Sequence, residues 1–126
     1  MKALKATLRY LLGTFLVFAG ANHFRIPEFY VSIMPAYLPW HLALVYLSGV
    51  AEVAIGVLLF FERSQRLAAW GAVALMVAVF PANLQMALHP DLYPQFSPAA
   101  LWARLPAQGV LLAWAYWLTR PSTYRN

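Results

Sequence analysis

Four long apolar stretches dominate the chain: Tyr10–Phe24, Trp40–Phe61, Leu67–Leu88 and Leu101–Leu118. Polar residues gather mainly in the connections between them. A membrane-spanning helix needs about 20 predominantly apolar residues. The first stretch reaches that length if its helix starts near Leu4. The pattern predicts an all-α protein, an integral membrane four-helix bundle filling residues 1–126 as one domain.

Local signals place some of the helix ends. Ser97 followed by Pro98 reads as an N-cap with proline at the first helical position. Pro39 suits the start of the second long helix, and Pro121 stops the fourth. Pro81 and Pro106 fall inside helices, where each removes a backbone donor and kinks the helix or opens a hydrogen-bonding gap. The connection between the second and third helices is the short polar run Glu62–Arg66.

The other two connections are aromatic and rich in proline. In RIPEFYVSIMPAYLP, residues Phe29, Tyr30, Ile33 and Met34 recur at i, i+1, i+4 and i+5. That spacing predicts a short amphipathic helix lying in the membrane interface. The second such connection is HPDLYPQFSP. Two readings stand for this pair: a lid over the mouth of the bundle, or interfacial anchoring.

Composition supports the membrane reading. Of 126 residues, 63% are hydrophobic and only 10% charged, with a mean hydropathy of +0.62. Soluble domains carry about 25% charged residues. The absence of cysteine excludes disulfides, thiolate metal sites and CxxC redox chemistry, and with them a four-helix thiol oxidase.

The net charge of +5 is read as flanking charge rather than as a nucleic-acid footprint. Lys2, Lys5, Arg9, Arg63, Arg66, Arg120 and Arg125 lie on one side, and Arg25 and Arg104 on the other. Seven against two puts both termini in the cytoplasm. Trp40 and Trp102 then mark the outer interface, and Tyr10, Trp70 and Trp117 the inner one. Ala19-Gly20-Ala21 also resembles a signal-peptide cleavage site; the reading adopted is a retained helix.

Against this background one residue stands out. Glu52 sits in YLSGVAEVAIGVLLFF, where a carboxylate costs roughly 2.5–3.5 kcal/mol even on the lenient insertion scale. It shares a face with Ser48, Gly49 and Gly56, a small and polar stripe suited to helix packing. Arg104 and Gln108 share a face of the fourth helix. Asn83 lies near the outer end of the third helix, and Asn22 and His23 end the first.

At 1.5 Å per residue, Glu52 is about 18 Å below Trp40, and Arg104 about 9 Å below Pro98. Arginine's reach makes a Glu52–Arg104 ion pair the expectation, its hydrogen bonds completed by Asn83, Gln108 and Asn22. The candidate polar pocket is therefore Asn22, His23, Glu52, Asn83, Arg104 and Gln108. It is either polar glue between helices or a site for a small polar-headed lipophilic ligand. His23, His41 and His89 are read as interfacial hydrogen-bonding residues, and no metal site is assigned. A transporter fits poorly, because four helices show no inverted repeat.

Several blocks carry a family resemblance: AGANHF (Ala19–Phe24), PEFYVSIMPAYLP (Pro27–Pro39), YLSGVAEVAIGVLL (Tyr46–Leu59), RLAAWG (Arg66–Gly71), AVFPANLQMALH (Ala78–His89) and RLPAQ (Arg104–Gln108). Together they resemble the DoxX family of small integral membrane proteins and its DoxX-like relatives. The resemblance implies a four-helix membrane protein with Asn22, His23, Glu52, Asn83 and Arg104 on the family's recurrent polar positions. Some relatives are membrane subunits of quinone-linked oxidoreductases, including one acting on thiosulfate. Others accompany oxidative-stress or quinone-detoxification proteins, and distant animal relatives are assembly chaperones for receptors.

The resulting expectation is a redox-associated or quinone-handling membrane subunit. Its partners would be membrane lipid, a quinone-like ligand, a redox or client membrane protein, and further copies of itself. No catalytic residue is assigned, and quinone is the only cofactor indicated. The alternative is a non-catalytic membrane scaffold or assembly chaperone.

Overall fold

The structure, a computed structural model, describes residues 2–121. Arg125, one of the residues in the charge count, lies outside the described residues. The described chain forms five α-helices: α1 (Lys2–Arg25), α2 (Pro27–Ile33), α3 (His41–Leu58), α4 (Gln65–Leu88) and α5 (Pro98–Thr119), with a single 3-10 turn at Pro90–Leu92. Helices α1, α3 and α4 are long and apolar enough to cross a membrane. Helix α5 is as long but carries Arg104 and Gln108.

Helix α1 packs along α3, α5 packs along α4, and the two pairs meet mainly along α3 and α4. Glycine sets the first contact. Gly13 faces Gly56 and Gly20 faces Gly49, an antiparallel register with a seven-residue spacing on each helix. A Cβ on Gly13 would stand 2.8 Å from the Gly56 carbonyl oxygen, and one on Gly56 would stand 2.7 Å from that of Gly13. Only hydrogen fits there, so the two backbones approach as in other small-residue membrane interfaces. Ala19–Ala21, the candidate cleavage site, thus lies within a packed helix.

The start of α1 and the end of α5 share one end of the molecule, where Lys5 donates to the Arg120 carbonyl. We call this the terminal end. Beside it Leu12, Leu16, Leu59, Ala69, Ala72 and Leu118 are buried together, and α4 contributes three alanines that let its neighbours close in.

The ends of the helices have local causes. Ser97 accepts a hydrogen bond from the Ala100 amide at 3.2 Å, with Pro98 opening α5 as the sequence suggests. Arg120, extended ahead of Pro121, ends it. Helix α3 stops at Leu58, three residues short of the expected Phe61, because Phe60 and Phe61 bond back only three residues, to Val57 and Leu58. It also starts one residue late. Trp40 takes a left-handed conformation (φ 50°, ψ 53°), which costs a bulky residue about 1–3 kcal/mol.

Arg9 changes its reading altogether. Expected as a flanking charge, it is buried, and its guanidinium donates to the Leu59 carbonyl just past the end of α3. A cation there satisfies an orphan carbonyl and complements the helix dipole.

Candidate functional site

At the far end, away from the termini, the helices part around a cavity of about 320 Å³. Helix α2, through Tyr30 and Ile33, and Met34 just after it close its mouth. The rings of Phe29 and Phe96 meet steeply tilted, 5.9 Å between centroids, joining the two aromatic connections. Tyr93 is buried with Met86 and Leu101 beneath them. Polar side chains come from every side: His23 from α1, Tyr30 from α2, Ser48 and Glu52 from α3, Asn83 from α4 and Arg104 from α5.

Glu52 is only 9% exposed. The expected Glu52–Arg104 ion pair is not formed; the carboxylate faces His23 instead, with Nε2 to Oε2 at 3.4 Å. The packing explains the exchange. The glycine contact holds α1 against α3, whereas Arg104 stands on α5, whose neighbour is α4, with the cavity between. Arg104 is half-buried, its guanidinium 5.8 Å from the centre of the Phe96 ring.

His23, read as a hydrogen-bonding residue near the end of α1, bonds inside the protein. It is buried, with Nδ1 2.9 Å from the Val45 carbonyl and its ring 4.0 Å from that of Tyr30. A carbonyl only accepts, so Nδ1 carries a proton and Nε2 is the atom turned to Glu52. The 3.4 Å contact is not an aligned hydrogen bond, and Oε2 has no hydrogen-bond partner among the described residues.

The other expected members divide. Asn83 lines the cavity but spends a donor on Gln108, whose own amide donates to the Met76 carbonyl. Met76 directly precedes Val77, the residue whose carbonyl Pro81 leaves without its usual amide. Gln108 is buried there and does not border the cavity. Asn22 is also outside: its side-chain oxygen accepts from Arg25 Nε at 2.9 Å on the exposed end of α1. Neither supports an ion pair as expected.

Tyr30 was legible only as part of an amphipathic face. Burial, then the Glu52 carboxylate, raises its phenol above the usual range, so the hydroxyl keeps its proton and can donate.

A family model described as Domain of unknown function (DUF8561) matches residues 12–119. The chain belongs to this family. No curated protein and no solved structure matches it. In this DUF8561 chain the matched span includes every residue bordering the cavity, from His23 to Arg104.

Proposed function

We propose that the chain is a multi-pass membrane protein whose four long helices span the bilayer as a bundle, with both termini cytoplasmic, and whose far-end cavity holds the head group of a quinone-like lipid. On this reading it is a quinone-handling, redox-associated subunit of a prokaryotic inner membrane, of the DoxX-like type. The excess of Lys and Arg at the terminal end supports the orientation. Helix α2 then lies in the outer interface.

The observation that carries the ligand is the convergence of Tyr30, Glu52, Asn83 and Arg104, from four helices, on one cavity whose other walls are mainly apolar. A few converging polar groups in an apolar wall is how small-molecule sites are built. The cavity, about 320 Å³, is at the small end of ligand sites and suits one ring with its substituents. Ring carbonyls would accept from Arg104 and from the Tyr30 hydroxyl. His23 and Glu52 stand together at the same wall, two groups with which a ligand oxygen can exchange a proton. Apolar Ile33, Met34, Leu38 and Val79 would flank the ring and the root of its tail.

The test is lipid extraction and mass spectrometry on natively purified protein. Quinone is expected with the wild type and about tenfold less with Arg104→Met, equivalent to about 1.4 kcal/mol. Wild-type protein free of quinone would overturn the reading; if it then carried a stoichiometric protein partner, the scaffold alternative would take its place.

A further inference from the structure

A second concavity, about 690 Å³, opens at the terminal end between the start of α1, the start of α4 and the end of α5. Lys2, Lys5, Arg9, Arg66 and Arg120 border it, and Glu62 is its only acid. None of these cations makes an ion pair among the described residues, where the sole salt bridge is His23–Glu52. Arg9 and Lys5 are turned to carbonyls at its floor, leaving Lys2, Arg66 and Arg120 exposed. The Ser64 hydroxyl is spent on the Leu58 carbonyl, so no side chain caps the first amides of α4 beside Gln65 and Arg66.

Topology alone calls for positive charge near this end. It does not call for five cations from three helix ends to converge on one cleft, where they repel one another unless an anion lies between them. Between the charged residues the cleft is lined by Ala3, Ala6 and Leu118. At a membrane end, phosphate among the cations with hydrocarbon beside it describes a phospholipid. We propose that this cleft binds the phosphate head group of an anionic phospholipid, with Lys2, Arg66 and Arg120 on the phosphate. Basic pockets between membrane helices commonly hold such head groups. The inference rests on the membrane reading and not on the quinone ligand, so loss of either ligand leaves the other site standing.

Native mass spectrometry of the full chain in a neutral detergent tests it, with phosphatidylglycerol and phosphatidylcholine added singly. The wild type is expected to favour phosphatidylglycerol by about a hundredfold or more, from three phosphate-contacting charges. Lys2→Gln combined with Arg66→Gln should reduce that preference to about fivefold, the share of Arg120. Both residues are exposed, so packing is spared. Arg63→Gln removes a charge from the same connection but outside the cleft, and should leave the preference within about twofold of wild type. Equal binding of the two lipids by the wild type would overturn the proposal, as would an Arg63→Gln loss matching that of the double variant. Displacement of phosphatidylglycerol by millimolar inorganic phosphate would reassign the cleft to a soluble phosphate ligand.

Discussion

The two halves of the molecule are built from the same helices, yet between the helix pairs one is closed by packed side chains and the other stays open, the terminal cleft lying outside that packing. Near the termini, Leu12, Leu16, Leu59 and the alanines of α4 fill the space between the helix pairs. Near the far end, α1 and α3 stay locked at Gly20 and Gly49, but the gap toward α4 and α5 holds a cavity ringed by His23, Tyr30, Glu52, Asn83 and Arg104. In lipid, apolar side chains gain nothing by leaving hydrocarbon for a protein core, so helix cohesion comes from close packing and interhelical hydrogen bonds. The closed half is where that packing is concentrated. It supplies the cohesion that lets the open half keep a buried Glu52 carboxyl whose Oε2 makes no hydrogen bond among the described residues.

The sharpest way to break this division is to pry apart the closed half. Gly56→Val places a Cβ about where the Gly13 carbonyl oxygen and the Val17 backbone already stand, at 2.7 and 2.9 Å. Backbone cannot step aside as a side-chain tip can. The variant is expected to lose about 3 kcal/mol, the upper part of the range for overpacking, measured by unfolding in detergent micelles. A loss below about 1 kcal/mol would mean that α1 and α3 are not held by this contact.

A truncation in each half compares them directly. Leu16 is fully buried at the closed end. Leu16→Ala should cost about 2 kcal/mol, the low end for a core leucine, because in lipid the cavity left behind counts and the transfer from water does not. Val79 already borders empty space, so Val79→Ala should cost about 0.5 kcal/mol. Equal losses in the same unfolding assay would erase the distinction between a packed half and an open one.

The helices, the Ser97 cap, the short α2 and the Gly49/Gly56 face were all legible in the sequence, because each follows from spacing along one segment. What was not legible is which segments become neighbours. Glu52 and Arg104 have compatible depths, but depth along a helix says nothing about the angle at which a residue faces its partners. The close α1–α3 contact decides that Glu52 meets His23. The seven-residue spacing of Gly13 and Gly20 was the available signal for it, matching that of Gly49 and Gly56. Gln108 left the site for a similar reason: α5 lies on α4, within reach of Asn83 and of the carbonyls near Pro81. Arg9 shows the limit of counting charges, since a cation at a helix end serves orientation and capping alike.

The smallest expected change in stability separates a cavity kept for a ligand from a defect in packing. Ala82 borders the cavity from α4. Ala82→Leu adds three carbon atoms, a volume that about 320 Å³ accommodates without displacing backbone. A mere defect gains from being filled, by roughly 1 kcal/mol or more for a cavity reduced by several tens of cubic ångströms. A cavity occupied by a lipid head group loses those ligand contacts as it gains the leucine's, and the stability of the purified protein stays within about 0.5 kcal/mol of wild type. Co-purified quinone falls at the same time. Stabilisation by more than about 1 kcal/mol with quinone absent from both proteins would show the open half to be unfinished packing, and the buried Glu52 a register device between α1 and α3.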